Sequence, residues 1–346
     1  MEIKKLINGR ALYLTENEIW VAKGATFFAV DETGRRVSKK YKVGTFKTRV
    51  LSGIRIIRQT LREGIHHLLI LKNGNFFVTT KKKSYTVDRN TGKVISVFSG
   101  YRGNKPAHQG VCLTPSGTIF FGEYTLNPDR SLSSDLYVSD DNGITFKKIK
   151  SFSGKEVRHI HFVKYDPYRN GIWLGTGDED RENKLLFSGD GGKSFVTVGE
   201  GSQSWRAIGV AIKKGGLCWG TDAGSVPDTN RFLTLDLTYG IGDTRLNALS
   251  DLEGPCHGVF STAAGEVWFS CGVEGGENEK DRFARLKRLN ADKTENVFKL
   301  KKDIFPLICQ YGVMRFPLGG ENGNTVVFTA MGLKGGGEKV FIVKNH

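Results

Sequence analysis

The segment HQGVCLTPSGTIFFGEY, residues 108–124, contains an apolar strand, a turn with glycine and a second strand of aromatic and β-branched residues. Two such strands joined by a short polar turn predict a β-hairpin. The same features recur in HIHFVKYDPYRNGIWLGTGD from residue 159, RAIGVAIKKGGLCWGTDA from residue 206 and HGVFSTAAGEVWFSCG from residue 257. The hairpin is therefore a repeated unit of this chain.

Seven copies can be placed, and their starts are 42 to 56 residues apart, close to the repeat of roughly 40 to 50 residues that is typical of four-stranded β-propeller blades. The blades are expected to start near residues 10, 66, 108, 161, 206, 257 and 311. We predict an all-β chain that forms one seven-bladed propeller domain over residues 1–346, with six blades as the alternative. The last copy is followed by one further strand only. Residues 2–7 are therefore expected to supply its outermost strand and close the ring.

Two turns carry a shared signature. SDDNGITF at residues 139–146 and SGDGGKSF at residues 188–195 both fit S-x-D-x-G-x-[ST]-[FW]. This pattern resembles the Asp-box, or BNR repeat, of sialidase-like propellers. In that superfamily the motif joins the third and fourth strands of a blade on the face opposite the active site. The resemblance thus implies an architecture and leaves the activity open.

Histidine and arginine recur where the inner strands open. His108, His161 and Arg206 each stand 14 residues before a glycine, namely Gly122, Gly175 and Gly220. One histidine at a strand start is ordinarily a hydrogen-bonded core residue, but this repetition favours a polar funnel at the mouth of the central channel. Six of the seven histidines occupy such openings: His66, His67, His108, His159, His161 and His257.

The second strand of each hairpin returns to the same mouth, so the residues just past its end are expected at the rim. These are Glu123, Tyr124, Asp178, Asp180, Asp222 and the segment 271–277. The candidate catalytic residues are His108, His161, Arg206, His257, Tyr124 and Glu123. The candidate substrate-binding residues are His66, His159, Asp178, Asp222 and Arg10.

Sialidase chemistry is disfavoured by the residues present. Sialidase-like hydrolases use three arginines around the substrate carboxylate, an Arg-Ile-Pro near the start and a Tyr/Glu pair. This chain has no Arg-Ile-Pro, and Arg206 and Arg10 are the only guanidinium candidates at the predicted mouth.

The funnel resembles propeller polysaccharide lyases in type. Cleavage of a uronate glycosidic bond by β-elimination needs a cation to neutralise the carboxylate, a base and an acid. Under this hypothesis Arg206 neutralises, a histidine is the base, and Tyr124 or a second histidine is the acid. The resemblance also implies a possible divalent metal, Mn, Zn or Ca. It would be held by His108, His161 and His257, with an oxygen from Glu123 or Asp178.

Two further functions stay open at this stage. A glycoside hydrolase would pair Glu123 with Asp178 or with Asp222. A non-catalytic propeller would bind a glycan or a protein, a use to which this fold is well suited. A binding platform predicts exposed aromatic side chains on a rim, whereas an enzyme predicts convergent titratable groups.

The net charge of +15 suits an acidic glycan, and no nucleic-acid motif accompanies it. The first 14 residues do not read as a secretory signal, no apolar run approaches a membrane span, and five cysteines without paired spacing favour reduced thiols. A cytoplasmic chain is expected, although a mature secreted chain would look the same. The oligomeric state is left open.

One segment interrupts the repeat. Residues 45–64 contain five basic side chains and no hairpin pattern: Lys47, Arg49, Arg55, Arg58 and Arg62. A connection of this length is usually functional or mobile, which predicts a basic rim or lid. The alternative is an elongated pair of strands with solvated charges.

Overall fold

The computed structural model forms seven four-stranded antiparallel sheets arranged as a β-propeller. It describes residues 1–61, 63–224, 226, 229–277, 279–335 and 337–344. The innermost strands are β2 (Arg10–Leu14), β6 (His67–Ile70), β10 (Val111–Leu113), β14 (His159–Asp166), β18 (Ala211–Lys213), β22 (Cys256–Ser261) and β26 (Val313–Arg315). The second strands are β3 (Ile19–Lys23), β7 (Phe76–Thr79), β11 (Ile119–Gly122), β15 (Gly171–Gly177), β19 (Gly216–Gly220), β23 (Val267–Cys271) and β27 (Val326–Met331).

The outer half of each blade follows the same order. The third strands are β4 (Thr26–Val30), β8 (Ser84–Val87), β12 (Ser134–Ser139), β16 (Lys184–Ser188), β20 (Arg231–Asp236), β24 (Phe283–Asn290) and β28 (Lys339–Lys344). The outermost strands are β5 (Tyr41–Lys42), β9 (Val94–Phe98), β13 (Lys147–Phe152), β17 (Val196–Glu200), β21 (Arg245–Asp251), β25 (Lys293–Lys301) and β1 (Glu2–Asn8). The predicted seven-bladed fold is confirmed.

Each blade buries both faces because successive side chains of a strand point in opposite directions. Phe76 packs against the first blade, and its neighbour Phe77 packs against the third. In the same way, Trp268 packs against the seventh blade and Phe269 packs against the fifth. One apolar cluster results at each of the seven junctions between blades, and together these clusters form the core.

The ring closes through the two ends of the chain. Strand β1 pairs antiparallel with β28, with Glu2 opposite Lys344 and Ile3 opposite Val343. The last blade thus takes its outermost strand from the N-terminus, as predicted. This pairing occupies the edge that β28 would otherwise expose.

The two signature turns join β12 to β13 and β16 to β17. In the first turn, the Asp141 carboxylate accepts hydrogen bonds from the backbone amides of Ile144 and Thr145 at 3.1 and 3.0 Å. Gly143 adopts a φ of +77°, which a residue with a side chain rarely adopts. Asp190 accepts the equivalent bond from Ser194 at 3.0 Å in the second turn.

The basic segment after the first blade is helical. It forms α1 (Phe46–Gly53) and α2 (Arg55–Thr60), and Thr45 caps α1 by accepting a hydrogen bond from the Thr48 amide at 3.3 Å. The alternative of elongated strands is therefore wrong, because a capped start and a run of helix-compatible side chains favour local hydrogen bonds. Arg62 lies outside the described residues. Within the described chain, no helix combines the length and apolar character that a membrane span requires.

Candidate functional site

A cavity of about 170 Å³ lies at the channel mouth where the inner strands begin. Seven residues predicted from the sequence line it: Arg10, His66, His108, Tyr124, His161, Asp222 and His257. Its wall also includes Arg58 from the predicted basic rim, and five charged or aromatic residues that were not named as site residues: Lys105, Glu274, Tyr311, Arg315 and Glu338. The repeat therefore collects residues from distant parts of the chain at one place.

The alignment of blade starts that led to this cavity was only partly right. Gly122 and Gly220 do end their second strands, but β15 continues past Gly175 to Gly177. His108 and Arg206 lie before β10 and β18 rather than inside them. Their positions in the loops that enter the strands still place them near the mouth.

One side of the cavity is an arginine–glutamate cluster. Arg10 forms an ion pair with Glu338, and the Nε atom of Arg58 lies 3.5 Å from the other oxygen of the same carboxylate. Arg10 Nη1 also lies 2.9 Å from His66 Nδ1 and donates to the carbonyl of Ile65 at 3.1 Å. Helix α2 thus contributes Arg58 to the mouth, as expected for a basic rim.

His67, which is buried, and His108, which is partly buried, both have structural partners. His67 lies 2.6 Å from the hydroxyl of Thr79 and 2.8 Å from the carbonyl of Ala107, and burial lowers its pKa to about 3. His108 Nε2 donates to the carbonyl of Phe316 at 2.9 Å, and burial holds its pKa well below the ordinary value. Because that nitrogen serves the backbone, His108 suits a positioning role better than a catalytic one.

His159, His161 and Asp178 form the first of two clusters, which we call cluster A. The two Nε2 atoms lie 3.0 Å apart, and Asp178 Oδ1 lies 3.3 Å from His159 and 3.2 Å from His161. Both imidazoles are buried, and burial lowers the pKa of His161. His159 and His161 occupy alternate positions of β14, whose pairing shifts next to His161, a bulge that redirects a side chain.

Two arginines hold Asp178. Arg158 Nη1 donates to its Oδ2 atom at 2.9 Å, and Arg206 Nη2 lies 3.2 Å from its Oδ1 atom. The same Arg206 nitrogen lies 3.6 Å from Asp222 Oδ2. Arg206 is therefore a bridge behind the cavity wall, and its contacts support positioning better than direct contact with a substrate.

Asp222, His257 and Glu274 form cluster B. His257 Nε2 lies 3.1 Å from Glu274 Oε1, yet no described residue makes a well-aligned hydrogen bond to this nitrogen. Burial, followed by the nearby charge of Glu274, raises the pKa of Asp222 to about 7. Burial opposes ionisation of Glu274 as well, but the His257 charge outweighs it and lowers the pKa of that carboxyl. The two carboxyl groups are thus driven to opposite protonation states, which is typical of acid–base pairs.

Tyr124 lies beside cluster A. Its ring stacks on His159 with 4.0 Å between centroids, and burial keeps its hydroxyl protonated by raising its pKa. It lines the cavity and thereby presents a partly buried phenol to any ligand there.

Glu123 does not reach the cavity. Its Oε2 atom accepts a hydrogen bond from Arg102 at 2.9 Å and another from the Asp135 amide at 3.0 Å. This buried network fixes the loop after β11, so the predicted catalytic role of Glu123 and its pairing with Asp178 or Asp222 lack a geometric basis. Asp180 accepts from Gln203 at 2.8 Å and also lies outside the cavity wall.

The metal site expected from three histidines is not assembled. His108, His161 and His257 all line the cavity, but among the described residues the groups able to hold an ion are clusters A and B. Cluster A contains His161 together with His159 and Asp178. Cluster B contains His257 together with Asp222 and Glu274. The three rings have separate partners instead: His108 Nε2 donates to the carbonyl of Phe316, His161 Nε2 lies beside Asp178, and His257 Nε2 lies beside Glu274.

Sequence reasoning placed segment 271–277 at the rim but did not single out Glu274. Its position shortly after the end of β23 was the available signal, because Asp178 and Asp222 also lie shortly after the ends of second strands. Arg58 gave no repeat signal, because it belongs to the inserted helices. Arg315 and Glu338 come from the seventh blade, where the repeat is weakest.

No protein-family model matches this chain, and no curated protein matches it. Solved structures do. A streptogramin B lyase is 14% identical with a TM-score of 0.59, covering 99% of this chain and 96% of that chain. The Cps50 (Swd1) β-propeller domain of Myceliophteria thermophila is 11% identical with a TM-score of 0.60, covering 99% and 98%. The Pan2 WD40 domain of Neurospora crassa is 11% identical with a TM-score of 0.58, covering 100% and 98%. These likenesses establish the fold alone and do not confirm the sialidase-like resemblance.

Proposed function

We propose that this propeller cleaves an anionic, uronate-containing oligosaccharide by β-elimination at the channel mouth. The observation that carries the proposal is that one cavity wall contains both cationic side chains and the acid–base groups of cluster B. An anionic sugar needs the first set for binding, and elimination needs the second for proton transfer.

The cations on the wall are Arg10, Arg58, Lys105 and Arg315. Their guanidinium and ammonium groups are suited to the carboxylate of a uronate, whose charge must be neutralised before the adjacent C–H becomes acidic. The net charge of +15 would also raise the local concentration of an acidic glycan.

Cluster B supplies a base and an acid in this proposal. In its neutral form His257 takes the proton from carbon 5 of the uronate through Nε2, to which no described residue makes a well-aligned hydrogen bond. Glu274 then stabilises the resulting imidazolium. The bond between carbon 4 and its glycosidic oxygen breaks as the double bond forms. Asp222 donates the proton that the leaving oxygen requires, and Tyr124 is a second possible donor. The products are a new non-reducing end with an unsaturated uronate and a shortened chain.

The decisive experiment incubates the purified protein with defined oligogalacturonates, alginate oligomers and hyaluronan fragments, and follows the ultraviolet absorbance of the unsaturated uronate. His257→Asn and Asp222→Asn should each lower kcat by roughly 100-fold or more, the contribution expected of a positioned acid or base. Asp243→Asn, in the exposed turn between β20 and β21, is the matched control and should retain full activity.

Other outcomes assign different functions. New reducing ends without absorbance would overturn β-elimination in favour of hydrolysis. Saturable binding of the same oligosaccharides with no product would overturn catalysis altogether and support a glycan-binding propeller, with Tyr124 and the partly exposed Tyr311 as the aromatic contacts.

A further inference from the structure

Hydrogen bonds to the backbone fix the tautomers of both histidines in cluster A. His159 Nδ1 lies 2.8 Å from the carbonyl of Thr125, and His161 Nδ1 lies 3.2 Å from the carbonyl of Ala207. A carbonyl oxygen only accepts, so each Nδ1 must carry the hydrogen. In a neutral imidazole the other nitrogen, Nε2, then has a lone pair and no hydrogen.

Three lone-pair atoms therefore face one another. The two Nε2 atoms and Asp178 Oδ1 lie 3.0 to 3.3 Å apart. Arg158 engages the opposite carboxylate oxygen, whereas Arg206 Nη2 lies 3.2 Å from Oδ1 itself. With both imidazoles neutral, no hydrogen lies between the two Nε2 atoms. Arg206 contacts only the carboxylate oxygen, so the repulsion between the two nitrogen lone pairs would open the cluster. A positive centre among them removes the conflict.

We propose that cluster A is a binding site for a divalent transition-metal ion of the zinc class. Bonds of about 2.0 to 2.1 Å in tetrahedral geometry separate neighbouring ligand atoms by about 3.3 Å, close to the distances within cluster A. Two imidazoles and one carboxylate are a common ligand set for such ions, and backbone carbonyls that orient the far ring nitrogens are their usual support.

The surrounding backbone favours this arrangement. His159 pairs with Gly177 across β14 and β15, and a Cβ atom at Gly177 would lie 2.8 Å from His161 Cε1. Glycine there leaves room for the ring, and Asp178 follows at once. The pattern His-x-His on one strand and Gly-Asp at the end of the next therefore presents three ligands from two hydrogen-bonded strands.

Three protein ligands leave a fourth position for water or for a ligand oxygen. His161 and Tyr124 both line the mouth cavity, so this position is accessible from there. The metal site does not depend on the proposed elimination, because its binding can be measured without any sugar.

The test uses the full chain without a histidine tag, stripped with a chelator and then titrated with Zn²⁺ against a chromogenic competitor. We expect one ion per chain, together with a rise in Tm that grows with the free metal concentration. His161→Ala and Asp178→Asn should weaken the affinity by roughly 100-fold or more. His257→Asn, in cluster B, should leave it unchanged.

Circular dichroism of each stripped variant establishes that it folds, and the visible spectrum of wild-type protein loaded with Co²⁺ reports a low-symmetry site independently of the variants. Absence of specific Zn²⁺ binding by the wild type would overturn the site and leave a proton shared within cluster A as the explanation of its geometry. Binding lost in His257→Asn but kept in His161→Ala would also overturn it, by placing the ion in cluster B.

Discussion

The protonation states of individual buried carboxyl groups decide what the mouth can do. Asp222 faces Arg206, Glu274, His257 and Asp178, and burial is the main reason that its pKa is raised to about 7. A folded chain that keeps this proton where the unfolded chain has lost it is stabilised at low pH. The dependence of the free energy of unfolding on pH can therefore be measured without knowing the substrate.

Asp222→Asn should change how stability depends on pH. The unfolded carboxyl titrates near 3.8 and the folded one near 7, so between these values the folded wild type binds more protons. Its free energy of unfolding therefore falls as the pH rises through this window and levels off above it. The variant has no carboxyl at this position and does not lose stability in this way. The free energy of unfolding of the variant minus that of wild type should therefore rise by a few kcal/mol from about pH 4 to about pH 7.

Urea denaturation across that pH range, with a chelator present, measures the effect. Asp243→Asn serves as the control and should follow the wild-type curve, because its carboxyl is exposed. A constant difference between Asp222→Asn and wild type at all pH values would show that the folded carboxyl titrates normally.

Glu123 is a second residue whose role can be tested directly. Glu123→Gln should lower the free energy of unfolding by about 1.5 to 3 kcal/mol, because it weakens charge-assisted hydrogen bonds to Arg102 inside the protein. Zn²⁺ affinity at cluster A should stay at the wild-type value. If stability were unchanged while the affinity fell, Glu123 would belong to the site and its placement behind Arg102 would be incorrect.

At the scale of single elements, each signature turn stabilises the connection between the third and fourth strands of its blade. Asp141 and Asp190 each accept backbone amide hydrogen bonds within their own turn. Asp141→Ala and Asp190→Ala should each cost about 1 to 2 kcal/mol, as loss of a helix cap does. Because the turns lie on different blades, the double variant should lose the sum. Thermal melts beside Asp243→Ala give the comparison, and a double variant no worse than either single one would contradict independent contributions from the two turns.

Elements differ in how far the sequence predicts them. Strand alternation and turn glycines recur in every blade, so the hairpins and the closing strand follow from local chemistry. The direction in which a side chain points after the end of a strand does not follow from local chemistry. Glu123 and Tyr124 are neighbours, yet only Tyr124 reaches the cavity. The reason is that Arg102, in the loop between β9 and β10, donates a hydrogen bond to Glu123 and holds its side chain away from the cavity. The bulge at His161 and the helices over 46–60 likewise depend on features that break the repeat.

At the scale of the whole molecule, the ring brings distant residues together only while it stays closed. Arg10 of the first blade and Glu338 of the seventh form an ion pair on the cavity wall, and β1 pairs with β28 beside them. In the native chain, strand pairing inside one blade closes the ring. Opening it elsewhere would leave two blades held by side-chain packing and a few isolated backbone hydrogen bonds, such as those from Ile160 to Glu123 and from Val163 to Gln109.

Two circular permutants can separate closure from connectivity. Both join Lys344 to Glu2 through a two-residue Asn-Gly turn, which suits their antiparallel pairing. One has new ends between Gly240 and Ile241, so that β21 becomes an N-terminal strand that closes the fifth blade as β1 does in the native chain. The other has new ends between Lys155 and Glu156, where the third and fourth blades meet without a shared sheet.

The first permutant should keep a stability close to wild type, because its ends lie within one hydrogen-bonded sheet. The second should lose about 2 to 4 kcal/mol, the scale of releasing a link between two chain segments. Its amides should exchange fastest in the third and fourth blades, since side-chain packing and only a few isolated backbone hydrogen bonds join them. Equal stabilities in urea denaturation, with equal exchange in those blades, would mean that the apolar clusters alone hold the ring. The closing strand would then contribute no more than any other outermost strand.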